Sequence, residues 1–277
     1  MASIGVFDSG CGGLSVLREI VRLLPEERYI YFADSAHCPY GGLAASEIAD
    51  RARAVTEILL SLGADIIVVA CNTATAAAIS ILREEYPDVR FIGMEPAVKP
   101  AATGTRSGVV GVLATEGTLK GSKYLTAKGR ISSGVKIVER VGRGFVELVE
   151  SGILDGPEAE SIVRKSLQPL LDAGADTIVL GCTHYPFLAP VIRRIAGPGV
   201  SIIDPAPSVA RHLIYVMVSE QLLTEAAATR ALARVIEHEE LSARGSSLPL
   251  PSSPTIDLYS SGNPESLRDI YTLAFSK

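Results

Sequence analysis

The chain predicts an α/β fold of two pseudo-symmetric, doubly wound lobes with parallel sheets and the active site in the cleft between them. Three observations predict it. Strand-like apolar runs alternate with amphipathic helical runs, the pattern of parallel sheets covered by helices on both faces. One phrase is written twice, GADIIVVACNT at 63–73 and GADTIVLGCTH at 174–184, and each copy places a cysteine eight residues after its opening glycine. Three landmarks also recur at a near-constant offset: 106 from Gly5 to Gly111, 111 from Cys71 to Cys182 and 109 from Pro96 to Pro205. Such regularity is the signature of an internal repeat.

The elements follow in order. Ser3–Phe7 reads as a strand, DSGCGG as a glycine loop, and Leu14–Leu23 has helical spacing. Arg28–Phe32 is a second strand. Ser46–Leu62 is a helix, with Ser46 as its expected N-cap and Gly63 as its stop. Asp65–Ala70 is a third strand, Ala76–Glu85 a helix, and Arg90–Gly93 a fourth strand that ends in Glu95-Pro96. The second half echoes this with SGVVGVLATEGT at 107–118, Asp176–Gly181, and Val200–Ile203 before Asp204-Pro205. Ala206–Ser219 and Thr224–Glu240 are helical. A Ser/Pro-rich connection at 242–254, expected to be exposed, leads to a final strand at Thr255–Tyr259 and a helix at Ser266–Phe275. The simplest division puts residues 1–97 and 207–277 in the first lobe and 98–206 in the second.

Composition narrows the class. The chain has 277 residues, 47% apolar and 21% charged, enough for a core of ordinary enzyme size. A net charge of −5 gives no electrostatic case for nucleic acid or an anionic membrane as partner. Its apolar windows are too short to span a bilayer, and no basic segment precedes a long apolar run at the start. Four cysteines without a dense framework indicate free thiols in a reducing compartment, so the expected location is cytoplasmic.

In open α/β sheets ligands bind beyond the carboxyl ends of strands. Cys71, Cys182, Asp8 and Thr115 all sit at such ends, and facing lobes would bring them into one cleft. A single strand-end cysteine is ordinarily an inert core residue. Two in matched places, each followed at once by polar groups (Asn72-Thr73 and Thr183-His184), suggest chemistry on two sides of one substrate. A disulfide between them is the competing reading, disfavoured by the compartment. His184 could tune the neighbouring thiol or move its proton, or could be a satisfied strand-end histidine. Asp8 could cap a tight turn, or act beside a glycine loop able to cradle an anion. Glu150 lies on a helix striped by Phe145, Val146 and Val149, where a solvated face is the default. Tyr40 and Gly41, in a Gly/Pro turn, could offer backbone contacts to a carboxylate. His37, His184, His212 and His238 show no metal-ligand spacing, so no metal is expected.

FDSGCGGLSV, ADSAHCPYG, ACNTAT, GMEPAVKPA, ATEGT, GCTHYP and the closing SSGNPESL, in that order over almost the whole chain, resemble the glutamate racemases of the aspartate/glutamate racemase superfamily. The resemblance implies a cofactor-independent interconversion of L- and D-glutamate, supplying D-glutamate for peptidoglycan. A racemase of aspartate or another amino acid is the alternative. It implies that Cys71 and Cys182 are the two acid/base groups, assisted by Asp8 and His184 respectively, with Glu150 a further acid near the second thiol. Asp8, Ser9, Tyr40, Gly41, Asn72, Thr73, Thr115, Thr118, Thr183 and His184 fall where that family holds the substrate's carboxylates and ammonium. Neither PLP nor a metal is expected, and the expected assembly is a homodimer. Two departures are His37, where the family has Arg, and Glu147, where it has Pro.

Overall fold

The computed structural model describes residues 1–276. Its first half runs β1 (Ser3–Asp8), α1 (Leu14–Leu23), β2 (Arg28–Ala33), α2 (Ala45–Ser61), β3 (Ile66–Val69), α3 (Asn72–Glu85), β4 (Arg90–Gly93) and α4 (Val98–Gly104). The middle runs β5 (Val109–Ala114), α5 (Glu116–Lys120), α6 (Ser122–Gly129), β6 (Lys136–Val141), α7 (Phe145–Glu150), α8 (Gly156–Asp172), β7 (Thr177–Gly181), α9 (Ala189–Ala196) and β8 (Ser201–Ile203). The chain closes with α10 (Ala206–Ser219), α11 (Glu225–Ala243), β9 (Thr255–Ser260) and α12 (Pro264–Phe275).

The strands form two parallel sheets, ordered β4-β3-β1-β2-β9 and β6-β5-β7-β8. Reading the second from its other edge gives β8-β7-β5-β6, strand for strand the order β4-β3-β1-β2. The predicted repeat is therefore topological, and β9 is an addition on the free edge of β2, paired from Arg28↔Thr255 to Ala33↔Ser260. Central strands are apolar throughout: β3 is IIVV and β7 is TIVLG, every residue buried, as parallel strands covered on both faces must be. α10 returns to pack on α1, and one apolar cluster runs from Val6, Leu14 and Ile20 to Leu180, Leu188 and Ile192. No helix of the described residues is long and apolar enough to cross a membrane.

The repeated Gly-Ala-Asp has a local cause. Gly63 and Gly174 end α2 and α8 at φ 87° and 85°, the left-handed region that L side chains avoid. In each copy the glycine N–H and the following alanine N–H return to carbonyls of the last helical turn, Leu60 and Leu59 for one, Leu171 and Leu170 for the other. The aspartate then clamps the start of the central strand: Asp65 accepts from the Ser3 amide, and Asp176 from the Arg106 and Ser107 amides, each at 2.8 Å.

Three local expectations are corrected. α2 begins at Ala45, before Ser46. Ser46 is exposed, and the first turn is closed instead by the Glu47 carboxylate, which accepts from the Ala44 amide at 2.9 Å. α3 begins at Asn72, four residues before Ala76, because the Cys71 thiol serves as its cap acceptor for the Ala74 amide. In the 242–254 connection, otherwise largely exposed, Leu248 is buried and pins the segment to the core.

Candidate active site

Both central strands of each sheet end at the cleft. On the first side β3 runs directly into α3, so Cys71 sits at a helix N-terminus with its Sγ 3.5 Å from the Ala74 amide and 3.8 Å from Ser9 Oγ. Asp8, at the end of the neighbouring strand β1, is fully buried. One of its carboxylate oxygens accepts from the Ser9 amide at 2.8 Å, the other from the Gly13 amide at 2.7 Å and from Thr183 Oγ1 at 3.3 Å. The loop can wrap this tightly because Gly13 carries no side chain: a Cβ there would meet Asp8 Cβ at 2.8 Å. Asp8 is thus both a turn cap and a neighbour of the thiol.

On the second side β7 ends at Gly181, and Cys182 is followed by a short 3-10 turn, Tyr185–Leu188, before α9. Cys182 Sγ lies 3.8 Å from His184 Nδ1, and His184 Nε2 lies 2.6 Å from Glu150 Oε1. Glu150 is half-buried at the end of α7, and its Oε1 also accepts from the Cys11 amide at 2.8 Å. The apolar stripe Phe145, Val146 and Val149 is buried as expected, but Glu150 turns into the site and away from solvent. Glu147, the residue in place of proline, is exposed on the first turn of α7, and Glu150 still reaches His184.

A narrow cavity of about 10 Å³ lies between the two thiols, lined by Ser9, Pro39, Tyr40, Gly41, Cys71, Asn72, Thr73, Thr115, Val146, Cys182, Thr183 and His184. Asp8, Thr118 and Glu150 stand behind this lining. One hydroxyl contact joins the ends of the two halves, Thr73 Oγ1 to Thr115 Oγ1 at 2.9 Å, and Thr115 Oγ1 also meets Thr118 Oγ1 on its own helix turn at 2.8 Å. Ser15 Oγ donates across to the Thr183 carbonyl at 2.9 Å. Asn72 is buried, and its Oδ1 has no hydrogen-bond partner, which leaves a bare acceptor at the cavity wall. Tyr40 contributes its backbone and ring only, since its hydroxyl donates to Asp34 at 2.6 Å.

Behind that turn Asp34 collects Arg51 (2.8 and 2.9 Å), Ser261 Oγ (2.7 Å) and His37 Nδ1 (3.1 Å) as well. Burial opposes ionisation there, but Arg51, Tyr40, Ser261 and His37 together hold the Asp34 carboxyl down at about 2. Arg51 is thus the fixed cation beside Asp34.

Burial sets the electrostatics of the first side. It pushes the Asp8 carboxyl above its usual range, against the opposing pull of His184, Cys71 and the Gly13 amide. Burial and then the Asp8 charge push the Cys71 thiol well up. On the second side burial works against the imidazolium, but hydrogen bonds with Cys11, Cys182, Cys38 and Glu150 overcome it and hold His184 well above the ordinary imidazole range. For Glu150 burial is likewise outweighed by His184 and the Cys11 amide, and its carboxyl is held below normal.

The other two cysteines also reach this place, which the sequence reading did not anticipate. Cys38 Sγ lies 3.7 Å from Glu150 Oε1, and Cys11 lies against Glu150 and His184. The only signal in the sequence was that both stand inside the quoted motifs DSGCGG and ADSAHCPYGG. Burial raises their pKa values to about 12 for Cys11 and about 11 for Cys38. All four cysteines are free thiols.

The Asp/Glu/Hydantoin racemase family matches residues 4–213, which takes in both thiols, Asp8, Glu150 and His184. The chain belongs to this family. It is 51% identical over 222 residues to a glutamate racemase of Ectopseudomonas mendocina, covering 80% of this chain and 84% of that protein. It is 54% identical over 221 residues to a glutamate racemase of Methylococcus capsulatus, covering 80% and 81%. The solved structure of a glutamate racemase isoform from Bacillus anthracis superposes with a TM-score of 0.80 at 29% identity, covering 100% of this chain and 94% of that one. The two-sheet α/β architecture is that of these racemases, and the chain is an isomerase of the same kind.

Proposed function

We propose that this enzyme interconverts L- and D-glutamate by a two-base mechanism in which Cys71 and Cys182 work on opposite faces of the α-carbon. The observation that carries the proposal is the pair of thiols at equivalent strand ends facing one cavity, each backed by a group able to hold a proton. A single base would tend to return the proton to the face it left. One thiolate removes the α-proton while the opposite thiol delivers another, and the roles reverse for the other enantiomer. Asp8, its carboxyl raised by burial, exchanges a proton with Cys71, and His184 does so with Cys182 while Glu150 steadies the imidazolium. Each acid/base group of this kind contributes roughly 10²–10⁴-fold. The remainder comes from oriented donors around a carbanion-like transition state in a cavity that excludes water.

The cavity wall suits an acidic amino acid. The bare Asn72 Oδ1 accepts from the ammonium, and the hydroxyls of Ser9, Thr73, Thr115, Thr118 and Thr183 with the Gly41 backbone hold the two carboxylates. Glutamate is taken as the substrate because relatives at 51% and 54% identity are glutamate racemases. No step needs PLP. The interlocked rim implies that the two lobes, 1–97 with 207–277 and 98–206, part to admit substrate and then close. D-glutamate for peptidoglycan, a cytoplasmic location and a homodimer follow from the resemblance, and the four free thiols suit a reducing compartment. A sedimentation mass equal to one 29.2 kDa chain would remove the dimer.

The direct test is incubation with L-glutamate in deuterated water without PLP, beside Cys71→Ser and Cys182→Ser. D-glutamate carrying α-deuterium, lost in each variant, is expected. Turnover of aspartate alone would keep the mechanism and change the substrate, whereas no exchange on any amino acid would overturn the reading.

A further inference from the structure

We propose that Cys11, Glu150 and His184, with Cys38 as fourth donor, form a binding site for a soft divalent cation such as zinc, and that its occupation switches racemisation off. The inhibitory half rests on the reading of His184 as the partner of Cys182, while the binding half stands on geometry alone.

One donor atom each from Cys11, Glu150 and His184 lie within 4.8 Å of one another. Cys38 Sγ lies 3.7 Å from the same Glu150 oxygen. Zinc bonds of about 2.0–2.3 Å in a tetrahedron separate the donors by roughly 3.3–3.8 Å, so Cys11, Glu150 and His184 need displacements on the order of an ångström to close on an ion, and Cys38, outside that set of three, a larger one. The donors come from four separate segments: the loop after β1, the turn after β2, the end of α7 and the loop after β7. Bare backbone lets them converge. A Cβ on Gly10 would lie 2.0 Å from Glu150 Oε1, and one on Gly12 would lie 2.2 Å from His184 Nδ1. Cys11 is buried and Cys38 half-buried, which opens the site to solvent on the Cys38 side. Two sulfurs, one imidazole nitrogen and one carboxylate oxygen favour zinc or cadmium over magnesium or calcium.

Binding would displace the two thiol protons and the proton between Glu150 and His184 to solvent. With Nε2 on the metal, the imidazole keeps Nδ1 toward Cys182 but no longer cycles between charged and neutral forms. The thiols at Cys71 and Cys182 take no part in binding.

Chelator-stripped protein titrated with cadmium reads the site through the ultraviolet thiolate-to-cadmium absorption. One equivalent is expected in the native chain and in the Cys71→Ser/Cys182→Ser variant, with affinity lowered in Cys11→Ser/Cys38→Ser by more than the about 10–100-fold that loss of an outer-shell partner costs. Zinc is expected to slow native racemisation by roughly 10²-fold, the scale of one acid/base group, reversibly on chelation. In Cys11→Ser/Cys38→Ser the zinc inhibition, measured against that variant's own metal-free rate, should be lost. Absorption that follows Cys71 and Cys182 instead, or its absence from the native chain, overturns the site. Equal inhibition of that variant overturns the switch. If the double variant does not fold, Cys11→Ala and Cys38→Ala singly carry the same test, and unchanged affinity in both overturns the proposal. Cadmium binding decides the site even where no racemase activity is found.

Discussion

The two sheets share a strand order but differ in the groups that surround their strand-end thiols. With the offset of 106 that relates β1 to β5, Ser9 corresponds to Thr115 and Asp8 to Ala114. The first thiol thus has a carboxylate on the adjacent strand, held by backbone amides of its own loop, whereas the second copy has an alanine there. On that side an imidazole arrives two residues after the thiol, as His184, and the carboxylate beside it comes from α7, an element with no motif counterpart in the first half. One strand order thus carries two different surroundings, a buried carboxyl beside one thiol and an imidazole backed by a carboxylate beside the other. Opposed groups with different preferred charge states suit a reaction that needs one thiolate and one thiol at a time.

The largest effects should fall on the thiols. Cys71→Ser and Cys182→Ser are each expected to lower racemisation by ~10²–10⁴-fold. Solvent deuterium uptake by separated enantiomers should then fail unequally, with the two variants affected in opposite senses. Identical behaviour would break the assignment of one thiol to each face.

Asp8→Asn should slow turnover more than it unfolds the chain, yet cost about 1–3 kcal/mol because one acceptor of the buried N–H groups becomes a donor. Urea denaturation beside steady-state kinetics separates the two effects. His184→Asn, which caps no loop, should show the larger ratio of activity loss to stability loss.

Glu150→Gln sharpens the comparison through pH. Without the carboxylate the imidazolium loses support, so the His184 pKa falls and the alkaline limb of kcat/KM moves to lower pH, while Cys71-dependent behaviour stays put. Stability carries the matching sign. His184, raised on folding, stabilises fully below its unfolded value of about 6.5 and less as pH rises through its folded value. Glu150, lowered on folding, stabilises fully above about 4.3 and less as pH falls through its folded value. The native melting temperature should therefore lose this contribution at both ends, and Glu150→Gln should flatten both slopes.

The smallest effect is expected at Ser261→Ala, which removes one of the hydrogen bonds on Asp34 behind the Tyr40 turn, about 1 kcal/mol. A modest rise in KM with little change in kcat would be its signature, and a kcat loss equal to that of Asp8→Asn would show the turn to be part of the chemistry.

Much of this was legible in the residues. The alternation of apolar runs, the twice-written GAD and the offsets contained the two-sheet order, because a left-handed glycine, a strand clamp and a buried parallel strand each demand particular residue types. The thiols and Asp8 were readable for the same reason, as strand ends are where open sheets bind ligands. Local caps were misread where a side chain with a second duty supplied the cap, as Cys71 does for α3.

What the chain alone determined was the repeat, the pair of thiols and the glycine loop, features that depend on local backbone geometry and on period. Tertiary structure decided which face of α7 carries its carboxylate inward, that Arg51 stands behind the Tyr40 turn, and that Cys11 and Cys38 join His184. Those outcomes depend on residues tens to more than a hundred positions apart being packed together, and no local pattern encodes the direction in which a side chain finds its partner.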